Sequence, residues 1–163
     1  QTQYLNKIDD QSNGFFVTKW TNLTDNGQTA SNTADGGVNT DYPLFRLADV
    51  YLMMAEAVVR GGTGSDRGTV LGYINELQRR AYGDDEHKIA DSDFLLKERA
   101  RELYWEGHRR TDLIRYGMFT TDKYLWQWKG GEKGGTAVNS KYNIYPIPNT
   151  ELTANPNLYN ENY

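Results

Sequence analysis

The chain has 163 residues, a net charge of −4 and no cysteine. That length suits one hydrophobic core, the missing cysteine excludes disulfides, thiol catalysis and Cys-ligated zinc, and a pI near 5.2 excludes a nucleic-acid partner. No run of 18 apolar residues occurs, so no transmembrane helix is expected, while 12 Tyr and 4 Trp argue against disorder. The chain opens on Gln1 rather than Met, which reads as a processed product or an excised fragment.

Residues 1–41 form a loop-rich lead-in. Within it Gly14 to Trp20 is β-branched and aromatic enough to predict a short strand. Residues 21–41 have a loop composition. A calcium loop starting at Asn22 fails, because its twelfth position is Thr33 rather than Glu.

Residues 42–117 form the predicted helical core. Tyr42-Pro43 opens a first helix over 44–60, with Pro in the first turn. LFRLADVYLMMAEAVVR is apolar almost all round, which predicts burial, with Met53 and Met54 filling gaps in the core. Its charges, Arg46, Asp49, Glu56 and Arg60, fall on one narrow stripe. That stripe faces either solvent or a later helix. The run from Gly61 to Asp66 lacks the Lys of a phosphate loop and follows a helix rather than a strand, so it reads as a turn. A second helix is predicted over 66–82, with Ser65 as its N-cap and Gly83 beyond its end. Val70, Ile74, Leu77 and Ala81 make its inward stripe, and Gly72 implies a close helix crossing. The two helices make a helical hairpin of tetratricopeptide type. Residues 84–90 are a polar loop in which His87 has no second His to complete a metal site. Asp91 or Ser92 caps a third helix.

That third helix carries the densest charge in the chain. Glu98, Glu102 and Glu106 recur every four residues, giving one acidic ridge. Arg99, Arg101 and Arg109 stand close enough to answer them. Leu96, Ala100, Leu103 and Gly107 give an apolar seam. Grouped carboxylates can serve acid–base or metal chemistry. A di-metal bundle wants Glu-x-x-His motifs on facing helices, and His108 follows Glu106 by two instead. Carboxylates interleaved with arginines form a structural ion-pair network, so Glu98, Arg99, Glu102 and Arg109 are expected to hold the fold. A short helical pattern around Asp112 to Arg115 then stops at Gly117.

Residues 118–163 are a loop and a tail. Tyr124, Trp126 and Trp128 alternate, and on an extended strand all three rings would share one face. Such rings can stack on sugars or anchor a loop in the core, and the glycines at 130, 131, 134 and 135 favour a functional loop. Buried anchoring is the commoner role of such rings; if the chain touches sugar, Tyr124, Trp126 and Trp128 are the candidate carbohydrate-binding residues. Pro146 and Pro148 impose an extended tail.

Three segments resemble the SusD/RagB family. ERARELYWEGHRRTDLIRYG, at residues 98–117, is similar to its ERxxELxxEGxRxxDLxRxG signature. PLFRLADVYLMMAEAVVRGG, from Pro43, is similar to a family helix. The third runs from Pro146-Ile-Pro148 through Glu151-Leu152 to Asn155-Pro-Asn-Leu158. The end, Asn160-Glu-Asn-Tyr163, is one residue tighter than the usual Gln-Asn-x-x-Tyr, and Arg110 and Thr111 replace residues that are often aromatic.

The resemblance implies a mainly α fold: a tetratricopeptide-like hairpin, further helices, long irregular loops and an extended Pro-containing tail. It implies that the chain is the C-terminal part of a longer protein. It also implies a non-enzymatic, cofactor-free lipoprotein on the extracellular face of the outer membrane of Bacteroidetes-type bacteria. Such a protein would capture oligosaccharides or other nutrients and pass them to a SusC-like TonB-dependent transporter. Its membrane link would be a lipid anchor absent from this chain. Two other classes compete: a helical scaffold for a protein partner, and a glycosidase using two of Glu98, Glu102 and Glu106. One helix face cannot flank a sugar from both sides, so the glycosidase ranks last.

Overall fold

A computed structural model describes residues 3–30, 38–83, 90–161 and 163. The polar loop with His87 and the position of Thr33 lie outside the described residues. The chain divides into two compact units, one of Val17–Arg109 and one of Gln1–Phe16 with Arg110–Tyr163. The fold is mainly α, as the sequence implies. Among the described residues there is no strand, only isolated bridge residues: Leu23 with Thr29, and Asn13. The strand expected over 14–20 is irregular backbone.

Three helices build the core of the Val17–Arg109 unit: α1 (Leu47–Val59), α2 (Arg67–Tyr82) and α3 (Ser92–Glu102). α1 packs against both α2 and α3. Ala48, Leu52 and Ala55 meet Val70, Ile74 and Leu77 of α2 and Leu95 of α3, with Leu103 just beyond. Leu52, Ile74 and Leu95 are wholly buried, each contributing roughly 1.5–3 kcal/mol. Tyr51 and Tyr73 stack between α1 and α2 at 4.4 Å. These helices form one hairpin with a third helix laid against it.

The helix ends follow local chemistry. Asp66, not Ser65, caps α2 by accepting from the Thr69 amide at 3.0 Å. Asp91 caps α3 by accepting from Phe94 at 2.8 Å. The glycine run after α1 is a helix stop: Gly61 takes φ +96°, and the amides of Gly61 and Gly62 donate to Val58 and Ala57, as in a Schellman ending. Pro43 lies ahead of α1 rather than in its first turn.

Three expectations about burial need correction. α1 is not buried all round: Leu47, Val50 and Met53 are exposed on it. Their spacing of three puts them on the side away from Leu52 and Ala55. Met54, by contrast, packs on the core. Ala81 is exposed, leaving Val70, Ile74 and Leu77 as the inward stripe of α2. Gly72 serves no close crossing, since a Cβ there would meet nothing within 4 Å.

The first half of the charged stripe, Arg46 and Asp49, faces the third helix and the turn after it, while Glu56 and Arg60 pair along α1. Asp49 and Arg99 form a buried pair, Nη1 to Oδ1 2.8 Å, with side chains 9% and 4% exposed. Arg46, at the start of α1, donates through Nη1 to Glu102 at 2.6 Å and through Nε to Glu106 at 2.7 Å. Arg80 of α2 also reaches Glu102, at 2.7 Å, and Lys19 reaches Glu106. Glu98 pairs with Arg101 and accepts from Gln78. Arg60 meets Glu56 at 2.8 Å. The acidic ridge is not a single helical face, however. α3 ends at Glu102, and Trp105 and Gly107 take φ of 59° and 78°, so Glu106 approaches Arg46 from a turn. Arg99 answers Asp49 rather than a glutamate, and Arg109 donates to the Leu96 carbonyl at 2.8 Å. Of the expected apolar seam Leu96 and Leu103 are buried, with Leu95 beside them, while Ala100 is half-buried and Gly107 is exposed.

The second unit is mostly loop and short turns. α4 (Arg109–Arg115) begins at the boundary and ends on Gly117, φ 66°, with the Met118 amide donating to Leu113 at 2.8 Å. Leu113 and Asp112 are its buried residues. The tail is extended only around the prolines. α5 (Asn149–Ala154) and single 3₁₀ turns at Ser140–Asn143 and Pro156–Leu158 interrupt it. Asn139 and Asn155 supply the side-chain caps that start those two turns, a local signal that the proline count overrode.

Three substitutions test this packing. Gly72→Ala is expected to raise stability by about 0.5–1 kcal/mol in urea unfolding, because an exposed helical glycine carries only an entropic cost. Loss of stability would mean that the site is crowded. Glu102→Ala is expected to cost about 2–3 kcal/mol. That is below the roughly 3–5 of a fully enclosed pair, because Arg46 and Arg80 are partly solvated. Burial pushes the Glu106 carboxyl up, but hydrogen bonds from Arg46 and Lys19 outweigh it and hold the pKa below its ordinary 4.5. Its stabilisation is therefore complete above about 4.5 and is lost as pH falls through the depressed folded value. Glu106→Gln should be less stable than the parent at pH 7 and should converge with it in acid. A constant gap across pH would contradict the assignment.

Candidate functional site

The carboxylates offer no catalytic pair. Glu98, Glu102 and Glu106 each hold an arginine or lysine, so their oxygens are committed to fixed cations. Among the described residues no three of His, Cys, Asp and Glu gather as a metal site. No helix of the described residues is long and apolar enough to cross a membrane.

The aromatic segment lies in the second unit, and it is not a strand. Residues 121–128 run through turns, and a 3₁₀ turn follows at Lys129–Gly131. Trp128 takes φ 67°, a left-handed conformation that costs a non-glycine residue about 1–2 kcal/mol. The three rings therefore do not share one flat face by alternation. Trp126 is 40% exposed and stacks on Phe119 at 5.9 Å. Tyr124 is half-buried and tilted 50° to Trp126 at 6.3 Å. Trp128 is half-buried, and its indole N–H donates to the Leu5 carbonyl at 3.1 Å. The Leu5 amide in turn donates to Gln127 at 2.9 Å, so the start of the chain ties this segment down.

Lys129 explains the bend. It is 2% exposed, and its ammonium donates to the carbonyls of Thr121 and Tyr124. It also lies 4.8 Å from the centre of the Trp126 ring. Burial pulls its pKa below the ordinary amine value, and Asp122 opposes the shift. The cation thus gathers the loop and fixes the indole. Gly135 completes the fit: at φ +81°, a Cβ there would stand 2.5 Å from the Trp126 carbonyl.

Beside Trp126 lies a cavity of about 520 Å³ whose walls include Arg110, Phe119, Trp126, Lys129, Asn139 and Tyr142. The Arg110 guanidinium sits over the rings of Phe119 and Tyr145, at 4.6 and 4.1 Å. Its Nη2 donates to the Tyr142 carbonyl at 2.6 Å. A residue standing where an aromatic ring is usual thus keeps aromatic company by cation–π contact. Of the predicted trio only Trp126 lines this cavity. Arg110, Phe119, Lys129, Asn139 and Tyr142 had no short-range signal of their own beyond the substitution at Arg110.

Comparison with known proteins gives this geometry a context. The SusD family model matches residues 1–163. The starch-binding protein SusD of Bacteroides thetaiotaomicron is 46% identical over 153 residues, covering 93% of this chain and 26% of that protein. A SusD-like protein of Formosa agariphila is 34% identical over 122 residues, covering 71% of this chain and 22% of its own length. A SusD-like protein of Bacteroides ovatus is 31% identical over 91 residues, covering 53% and 16%. The chain spans about a quarter or less of the length of these relatives. With the family model matching from end to end and the three motifs in order, this chain belongs to the SusD family.

Proposed function

We propose that this chain is part of a glycan-binding protein of the bacterial cell surface, which captures oligosaccharides without cleaving them. One observation carries the reading: the family match over residues 1–163, with 46% identity to a protein named for binding starch. The bound sugar is then handed to a SusC-like TonB-dependent transporter at the extracellular face of the outer membrane. Commitment of all three glutamates to cations supports capture over hydrolysis.

Within the chain, sugar contact falls to Tyr124, Trp126 and Trp128. The exposed indole of Trp126 offers a ring face at little entropic cost, and the C–H face of a sugar buries well against it. Tyr124 adds a tilted edge. Trp128 contributes ring surface while its N–H holds Leu5. A helical scaffold for a protein partner is the second reading. It draws on the exposed apolar side chains Leu47, Val50 and Met53 of α1, because apolar surface of this kind marks protein contact when it is contiguous.

Calorimetric titration with maltoheptaose tests the glycan reading. Binding is expected without product release. Trp126→Ala should weaken it by about 1–2 kcal/mol and lower Tm less than Trp128→Ala does, since its ring also packs on Phe119 and Lys129. Trp128→Ala should lower Tm, because it releases the Leu5 anchor. Release of shorter sugars by the parent chain, or no binding to any glycan of a neutral and acidic panel, would overturn the reading.

A further inference from the structure

We infer that the cavity beside Trp126 is a subsite for one pyranose ring of a glycan, with Arg110 and Asn139 donating hydrogen bonds to the oxygens along its edge. The inference rests on the glycan-binding reading and goes beyond it, because it moves the polar contacts off the predicted trio.

The volume, about 520 Å³, lies within the span of small-molecule sites. Phe119, Trp126 and Tyr142 supply apolar ring surface to its wall. The polar lining is rich in donors, Arg110, Asn139 and Lys129, with the Tyr142 hydroxyl able to donate or accept. Arg110 commits Nη2 to the carbonyls of Tyr142 and Ile144, and its Nε and Nη1 make no hydrogen bond among the described residues. Asn139 uses Oδ1 to accept from the Lys141 amide at 2.9 Å, and its Nδ2 is likewise without a partner among the described residues. No acidic side chain lines the cavity. A ligand that fits must present an apolar face and several acceptor oxygens at its rim. A sugar ring does both. A planar hydrocarbon would leave the donors unmet, and a small anion would leave the aromatic wall bare. Arg110 is held in place between two rings, so its donors meet the ligand without a large ordering cost.

The test uses maltoheptaose as the probe and two variants of different kind. Asn139→Asp keeps the oxygen that caps Lys141 but removes the amide donor. Val138→Phe, at another lining residue, fills the cavity. Each is expected to weaken binding, about three- to tenfold for Asn139→Asp and by more for Val138→Phe, with Tm held near that of the parent. Parent-level affinity in both variants would overturn the subsite while leaving glycan binding intact. A parent chain that binds neither maltoheptaose nor any other glycan would overturn both. If one variant fails to fold, the other decides.

Discussion

The Val17–Arg109 unit depends on one buried pair of charges. Asp49 of α1 and Arg99 of α3 meet at 2.8 Å with almost no access to water. Taking two ions out of water is costly, and their attraction offsets that cost only in good geometry. The pair therefore acts as a register mark: slide α3 along α1 by one turn and both charges are left stranded. Around it, the guanidinium of Arg46 gathers Glu102 and Glu106, and Arg80 and Lys19 close the outer side. The apolar contacts of Leu52, Ile74 and Leu95 supply the bulk of the stabilisation. They are non-directional, and the charges fix which alignment of the helices satisfies everything at once.

The densest charged motif of this chain is structural. A run of glutamates and arginines invites thoughts of catalysis. Here each carboxylate is held by an arginine or lysine side chain, so the three glutamates form a structural network. The motif writes the fold, and the proposed recognition chemistry is assigned to the less regular second unit. There a buried lysine, Lys129, plays the comparable part. It collects carbonyls from Thr121 and Tyr124 and places the Trp126 ring next to a cavity.

The helical part was readable because its signals are local and repeated. The apolar spacing of Val70, Ile74 and Leu77 and the glycines at 83 and 117 speak directly to backbone geometry. The charged stripe of α1 was visible as a stripe, but its partner was not, since pairing Asp49 with Arg99 is a contact between residues 50 apart. The acidic ridge was over-read for the same reason. Periodicity continued to Glu106, but the left-handed turn at Trp105 and Gly107 had already ended the helix. The exposed side of α1 was missed because an apolar helix reads as buried wherever it sits. In the second unit the alternation Tyr-x-Trp-x-Trp had the composition of a strand, yet Lys129 and Gly135 bend it. The candidate site was half legible: Trp126 lines the cavity, while Arg110 and Asn139 reach it only through tertiary structure.

A double-mutant cycle on Asp49→Ala and Arg99→Ala, read by urea unfolding at pH 7, measures whether the two charges hold α1 and α3 together as a pair. The account predicts that each single change is severe and that the double change costs far less than their sum, with a coupling of about 2 kcal/mol or more. Additive losses would show that the two charges do not act as a pair, and the register of α3 on α1 would then rest on apolar packing alone.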